Sequence, residues 1–393
     1  MAQIRRSWIA VATSIAALTL AMTGCTSGGS DSGDIQVMAI GTVESAALSL
    51  PDAAAAMKAH VAQINDAGGI KGRKINLTVC NDKFDPNTAA DCARQAASKR
   101  VVAVLTHYEP FAPQVIPVLE AAKIPYIYNA VTADVDGQSA VSFPRDSGIM
   151  GVYGTLGIEL GKAGCKRVGA VVNATSNTIL GAQWLERGLA TKGAAMVQVS
   201  VGQTQPDFAA PVAKLLSQDI DCLVPVTAPD QGPKVVGALN QSGRHVQLGA
   251  VSSEFGSTAL TAMGAAAEGM IIVGQEYRPT DTSVPAVQEV LDGMHRYQPD
   301  VPVTTKFAIS GWAAVTALQQ LLESLQGAIT SATVLDALAK HAPDTKLYAT
   351  HAYGGTVLVA QYPRIVNWDY LTWTVRGGNA VLDRPTFTTM SGL

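Results

Sequence analysis

From Ile35 to Val273 short runs of β-branched and aliphatic residues alternate with longer alanine-rich segments whose apolar residues recur at helical spacing. That rhythm belongs to βαβ units, in which each strand lies parallel to the next and a helix returns the chain across the sheet. It predicts strands over 35–40, 75–79, 101–105, 124–128, 168–172, 197–201, 222–226, 246–251 and 270–273. Helices are predicted between them over 52–66, 87–98, 112–122, 148–163, 180–192, 207–217 and 231–241. Pro51-Asp52 opens the first helix, Gly68-Gly69 closes it and Asp85-Pro86 opens the second. Nine strands exceed the usual single sheet, so the expected fold is α/β with two doubly wound parallel-sheet lobes.

After Val273 the rhythm stops. Helices are predicted over 284–297, 304–325 and 331–341 with no strand between them, then a hairpin of 370–375 with 380–382 around Gly377-Gly378. A helical return followed by terminal strands lets the chain cross back and complete both lobes. Hinge crossings are expected near 143–147 and 274–279. The expected domains are residues 35–145 with 274–345, and residues 146–273 with 346–393.

The first residues are an export signal. Arg5 and Arg6 precede an apolar stretch from Trp8 to Ala21, too short for the roughly 20 residues of a membrane-spanning helix. Gly24-Cys25 at its end resembles a bacterial lipobox, which makes 1–24 a signal peptide, Cys25 the lipidated first residue, and the Ser/Gly-rich 25–34 a linker. An ordinary secretory signal with an incidental cysteine is the other reading. The expected location is extracytoplasmic, with the membrane reached through the lipid anchor only.

Cysteine usage agrees with export. Beyond Cys25 there are four, Cys80, Cys92, Cys165 and Cys222, an even number for an oxidising compartment. Cys80 and Cys92 stand at the end of one strand and inside the next helix, so a bridge between them is expected. Cys165 and Cys222 each stand at the start of a strand; a bridge and two buried thiols are both open there.

Charge and motif content narrow the function. Lys+Arg 28 against Asp+Glu 31 gives a net charge of −3, which offers no basic field for nucleic acid. His60, His107, His245, His295, His341 and His351 are scattered without metal-ligand spacing, there is no Cys-x-x-Cys, and no metal or cofactor is expected. No Gly-x-Ser-x-Gly, His-Glu-x-x-His or Walker A loop follows a strand, so the chain is not expected to be an enzyme. Ligands of open α/β sheets bind beyond the carboxyl ends of the strands. Those loops, 42–49, 106–110, 129–132, 173–178, 227–231 and 252–256, hold hydroxyls, amides, an aromatic ring and a few carboxylates suited to orienting a small polar ligand.

The segment Ile64-Asn65-Asp66-Ala67-Gly68-Gly69-Ile70-Lys71-Gly72-Arg73-Lys74-Ile75 closely resembles one found in the type I periplasmic solute-binding proteins of the branched-chain amino acid transport family. Asn81-Asp82, Asp85-Pro86, Ile124-Pro125-Tyr126, Phe143-Pro144-Arg145, Asp207-Phe208 and Ala267-Glu268-Gly269-Met270 follow in the family's order. The resemblance implies two lobes joined by a three-stranded hinge, a monomer, and delivery of a small solute to an ABC permease. A ligand-sensing surface lipoprotein without a transport partner is the alternative.

It also implies a pocket. Ala130 and Thr132 match positions that hold the ligand's carboxylate, and Glu254, beside Ser253, matches the acid that receives its ammonium group. Tyr108, Glu109 and Pro110 stand where the family carries consecutive serines, and Asn177 with Thr178 where an aromatic residue is expected. Those departures extend the expected solute from a branched-chain amino acid to an amine, an amide or another small metabolite. Thr132 could instead cap the following turn, Glu254 and Glu109 could be plain loop acids, Tyr108 could pack the hinge, and Arg145 is expected to be ion-paired near the first crossing.

Overall fold

Five strands, Ile35–Gly41 (β1), Ile75–Asn81 (β2), Ala103–Leu105 (β3), Tyr126–Ile127 (β4) and Ser142–Phe143 (β5), form a parallel sheet in the order β2-β1-β3-β4-β5. The computed structural model that shows this describes residues 33–46, 48–228 and 230–390; the leader, Cys25 and nearly all of the linker lie outside them. A second set, Arg167–Asn173 (β6), Ala195–Val201 (β7), Cys222–Val226 (β8), Gln247–Val251 (β9) and Ile271–Gly274 (β10), repeats that order as β7-β6-β8-β9-β10. Asp369–Arg376 (β11) and Asn379–Leu382 (β12) then extend the second sheet antiparallel, and Thr388–Thr389 (β13) pairs with β11.

Helices cover both faces. They are Pro51–Asp66 (α1), Pro86–Ser98 (α2), Ala112–Ala121 (α3), Asp134–Gln138 (α4), Gly148–Lys162 (α5), Ser176–Ala190 (α6), Ala209–Leu216 (α7), Gly232–Gln241 (α8), Ser257–Met263 (α9), Pro285–Tyr297 (α10), Lys306–Ser324 (α11) and Ser331–Leu338 (α12). In β1, Val37 and Ala39 join Met57, Ile64 and Trp312 on one face, while Met38 and Ile40 join Ala93, Val115 and Leu119 on the other. Burial on both faces is why β1 reads as a continuous apolar run. In β6 Val168, Ala170 and Val172 pack with Leu156 and Leu185, and Val171 lies in the core with Leu215 and Val235. Helices α10 and α11, far along the chain, pack against α1.

The chain passes between the sheets three times, at 144–147, after Gly274, and between α12 and β11. The crossings are tied together: Glu276 bridges to Tyr348, Tyr277 N donates to Leu347 O at 3.2 Å, and the Asn367 amide donates to Arg145 O at 2.9 Å. Cys80 is bridged to Cys92 and Cys165 to Cys222, the second pair joining the entry of β6 to its parallel neighbour β8.

Several boundaries differ from the sequence reading. Helix α6 begins at Ser176 rather than 180, because the Thr178 hydroxyl bonds back to Asn173 O and Thr175 O and starts the helix early. Asn177 and Thr178 are therefore in a helical turn, not a loop. Strand β5 and helices α4 and α9, two to seven residues long, carry too little pattern to have been predicted.

Candidate functional site

Each sheet changes direction beside its first strand, and the crevice at such a switch point lies beyond the carboxyl ends of the strands. The loops after β3 and β4 face the first turn of α6 and the loops after β8 and β9 across a cavity of about 680 Å³, counting its mouth. Tyr108, Ala130 and Thr132 line it from the first lobe, and Asn177, Thr227 and Ser253 from the second. Arg145, Asp146 and Gln275 on the crossings line it too, as do Lys306 and Phe307 at the start of α11. Ser252, Ser253, Lys306 and Phe307 also line an adjoining, more open cavity of about 1060 Å³. Leu48 and Leu50 wall that outer cavity on one side, Glu254 on another.

The entry of α5 shows how closely the backbone is fitted here. Gly148 has φ +52°, and a Cβ placed on it would sit 2.1 Å from Val131 O. Only glycine meets both demands, which lets Ile149 N donate to Val131 O at 2.9 Å and holds the loop carrying Ala130 and Thr132 against the helix.

Glu254 is buried at 2% exposure. Its Oε1 accepts from the Tyr153 hydroxyl at 3.1 Å and from Thr227 N at 2.9 Å, while its Oε2 has no protein partner. Loss of water pushes its carboxyl up to about 8, although Thr227, through backbone and side chain, and the Tyr153 hydroxyl pull the other way. An acid held neutral by burial, with one oxygen unpartnered, responds strongly to a cation or donor brought beside it.

On the first lobe the arrangement departs from a ligand cradle. Thr132 lines the cavity, but its N–H donates to Asp136 Oδ2 at 2.9 Å, and its hydroxyl lies 3.2 Å from both Asp136 Oδ2 and Glu109 O. Ala133 N also donates to Asp136, at 3.0 Å. An internal carboxylate thus occupies the Thr132 donors that the resemblance offers to a ligand's carboxylate. Glu109 is not among the residues that line either cavity: it is buried, its Oε1 accepts from Phe111 N at 2.7 Å, and burial raises its carboxyl well above the usual range. Ala130, half-buried, stays on the cavity wall.

Tyr108 reaches across the cleft. It lines the cavity opposite Asn177 of the other lobe, and its ring meets Phe307 edge-on at 5.2 Å between centroids. Below it the crossings carry paired charges. Arg145 Nε lies 3.1 Å from Asp146 Oδ2, and its Nη1 donates to Tyr128 O at 2.8 Å. Lys306 Nζ lies 3.1 Å from Glu276 Oε2, whose other oxygen accepts from Ser252 Oγ at 2.8 Å. Gln275 donates to Ser147 Oγ at 2.7 Å.

Structure thus brings Tyr108, Ala130, Thr132, Asn177, Ser253 and Glu254 to two adjoining cavities and leaves Glu109 behind their wall. Sequence reasoning missed Tyr153, Gln275, Lys306 and Phe307, which come from helix starts and a crossing rather than from loops after strands. One signal for Lys306 was available: a lysine in the first turn of a predicted helix stands at the end of the dipole that disfavours a cation. Among the described residues, the one close group of metal-ligand types is Cys165, Asp221 and Cys222, and both of its sulfurs are in the disulfide.

Residues 35–358 match the family model described as a periplasmic binding protein. No curated protein matches the chain. Among solved structures it is similar to a branched-chain amino acid ABC transporter protein from Thermus thermophilus with bound valine, at TM-score 0.78 and 15% identity over 91% of this chain and 98% of that one. A fatty acid ABC transporter substrate-binding protein from Thermomonospora curvata gives 0.77 and 16% over 89% and 91%. A solute binding protein of an ABC transporter from Rhodopseudomonas palustris BisB5, in complex with 3,4-dihydroxybenzoic acid, gives 0.72 and 15% over 89% and 96%. At such identities the likeness is one of fold, and these three proteins are named for dissimilar molecules.

Proposed function

The chain belongs to the periplasmic binding protein family, and from that premise we propose that it is a lipid-anchored, extracytoplasmic, monomeric protein that captures a small polar metabolite and passes it to an ABC permease. The metabolite is an amino acid or an amine or amide of similar size. Residues 35–145 with 274–345 act as one lobe and 146–273 with 346–393 as the other, closing on the solute between them. The chain performs no chemistry on its cargo.

The observation that carries this reading is Glu254. A buried acid with an unpartnered oxygen, on the wall of a cleft between two loop sets at two switch points, is arranged to receive a solute's ammonium group. Tyr153 and Thr227 fix its other oxygen and so orient it. Tyr108, Ala130, Asn177 and Ser253 supply the remaining contacts, and Phe307 the apolar surface.

The test is a thermal-shift screen of the protein without its leader against amino acids, amines, amides and small acids, followed by calorimetry on any hit. Removing one partner of a desolvated charge pair costs about 2–5 kcal/mol, so Glu254→Gln should weaken an ammonium-bearing hit by at least about tenfold. Undiminished affinity would remove the ammonium role. For the anchor, Cys25→Ser should leave the protein unprocessed or soluble; a fully processed variant still in the membrane fraction would rule lipidation out.

A further inference from the structure

Building on the lipid-anchored reading above, we infer that the end of the first lobe opposite the cleft docks on the anionic headgroups of the bilayer from which the chain hangs. The five strands of that lobe run parallel, so the connections leading into them gather at one end and the loops of the cleft at the other. Those entering connections are residues 67–74, 99–102, 122–125 and 139–141, with Gly33-Asp34 before β1. They hold Lys71, Arg73, Lys74, Lys99, Arg100 and Lys123 against one acid, Asp34. The register sets them side by side: Ile35 pairs with Ile75 and Val37 with Ala103, which places Lys74, Asp34 and Arg100 abreast on neighbouring strands, with Lys123 one strand further on. All but the half-buried Arg73 are exposed. Among the described residues the side chains of Lys74, Lys99, Arg100 and Lys123 have no ion pair or hydrogen bond. Even with Asp66 and Glu120, in the last turns of α1 and α3, bases outnumber acids at this end, in a chain whose net charge is −3.

The competing account is the helix dipole, because each basic connection follows a helix C-terminus, where a cation is stabilised. The second lobe repeats the strand order and with it the helix ends, so it serves as the control. Its entering connections, 163–166, 191–194, 217–221, 242–246 and 268–270, carry Lys166, Lys192 and Arg244 against Asp219, Asp221 and Glu268, an even balance. The dipole is common to both lobes, and the excess belongs to the first alone. Backbone conformation agrees. Arg100 and Lys123 sit at φ +51° and +54° after α2 and α3, where the second lobe places Gly164, Gly193 and Gly243 after α5, α6 and α8. The first lobe keeps cations where glycine is the unstrained residue.

The occupant follows from the tether. Residues 25–34 reach at most about 35 Å when extended and roughly 17 Å as a flexible coil, and they enter the fold at Asp34, amid the basic residues. A lipid on Cys25 therefore holds this face within a few screening lengths, about 8 Å each, of the headgroups. Each lysine or arginine brought to an anionic leaflet multiplies the docked population about fivefold. Docking by this end points the cleft, at the far end of the same strands, away from the bilayer and toward incoming solute, so delivery to a permease requires release.

The leaderless chain beginning at Cys25 can be coupled through that thiol to a maleimide lipid, because the other four cysteines are bridged. Vesicles of phosphatidylcholine are compared with vesicles in which phosphatidylglycerol replaces about a third of it, and acetylation of each lysine by a water-soluble reagent is followed by mass spectrometry. The expected result is at least about fivefold slower labelling of Lys74, Lys99 and Lys123 on the anionic vesicles at low salt, with Lys166 and Lys192 unchanged and the protection lost at high salt. Arg100→Glu, which reverses one charge and leaves the reporting lysines in place, should remove most of that protection. Equal labelling on the two kinds of vesicle, protection that survives high salt or Arg100→Glu, or protection as great at Lys166 and Lys192 would overturn the inference. So would equal protection in uncoupled protein at the same concentration, which would make the face a contact between copies of this chain. The coupling supplies the tether by chemistry, so these outcomes stand apart from whether cells lipidate Cys25, which Cys25→Ser decides separately.

Discussion

That Glu254 lies on a cavity wall was legible in the sequence, because it stands just beyond a predicted strand and at the position of the acid that the family resemblance implies. Its protonation was not, because that depends on burial by residues distant in sequence, against which the Tyr153 and Thr227 hydrogen bonds pull. The consequence is a pH dependence with a definite sign. The unfolded chain ionises this carboxyl near its ordinary 4.5, whereas the folded protein keeps the proton until about 8. Between those values the folded state binds more protons, so the stabilisation is complete below pH 4.5 and is lost as pH rises toward 8. Asp82 and Asp136, pushed up to about 6 by burial, act in the same direction over a lower window, from about their ordinary 3.8 upward. Melting temperatures of the unliganded protein should therefore fall from pH 6.5 to pH 8.5, above the range in which buried His60 and His107, lowered to about 4, act the other way, and Glu254→Gln should flatten that fall. Parallel wild-type and variant curves above pH 6 would show that Glu254 is already ionised.

The elements that were legible are those whose pattern is local. Strand β8 coincides with its prediction, because five consecutive residues of a strand buried on both faces leave a readable apolar run. Strand β5, of two residues, exists because β4 is there to pair with it, and α4 because the Asp136 carboxylate gathers the N–H groups of Thr132 and Ala133. Both bridges join elements whose placement the sequence rhythm implied, and they invite a comparison. Cys80–Cys92 spans 12 residues and ties the edge strand β2 to α2, whereas Cys165–Cys222 spans 57 and ties β6 to β8. On chain entropy alone the bridges contribute about 3 and about 4 kcal/mol. Removing the second by paired Cys→Ala substitutions should thus lower the unfolding free energy more than removing the first, as denaturant titration would measure. The reverse order would mean that residual structure in the unfolded chain, rather than loop length, sets the values.

At the scale of the molecule, the strand–helix rhythm and the number of predicted strands made two lobes predictable, while the path between them was only half readable. The stretch from 339 to 368 has no regular element, and distant rings hold it. Tyr348 meets Tyr128 edge-on, Tyr353 meets Phe143, and the Tyr362 hydroxyl donates to Asp134 at 2.8 Å. No local pattern announces such contacts. The three tied crossings leave rotation of one lobe on the other as the natural large motion, and Tyr108 and Asn177, which line the cavity from opposite lobes, would separate in such a rotation. A solute touching both lobes binds the closed state better than the open one, so it shifts the population toward closure. At about 100 times its dissociation constant it adds roughly 2.7 kcal/mol, enough to raise the melting temperature by several degrees. Tyr108→Phe removes the phenol hydroxyl from that pair; if a hydrogen bond across the cleft contributes about 1 kcal/mol, its loss is roughly a fivefold change in the balance of open and closed forms. X-ray scattering should therefore show a larger unliganded radius of gyration for Tyr108→Phe than for the wild type, with saturating solute returning both to one smaller value. If solute bound tightly and neither protein became more compact, capture would not proceed by closure, and the tied crossings would be a rigid brace instead of a hinge.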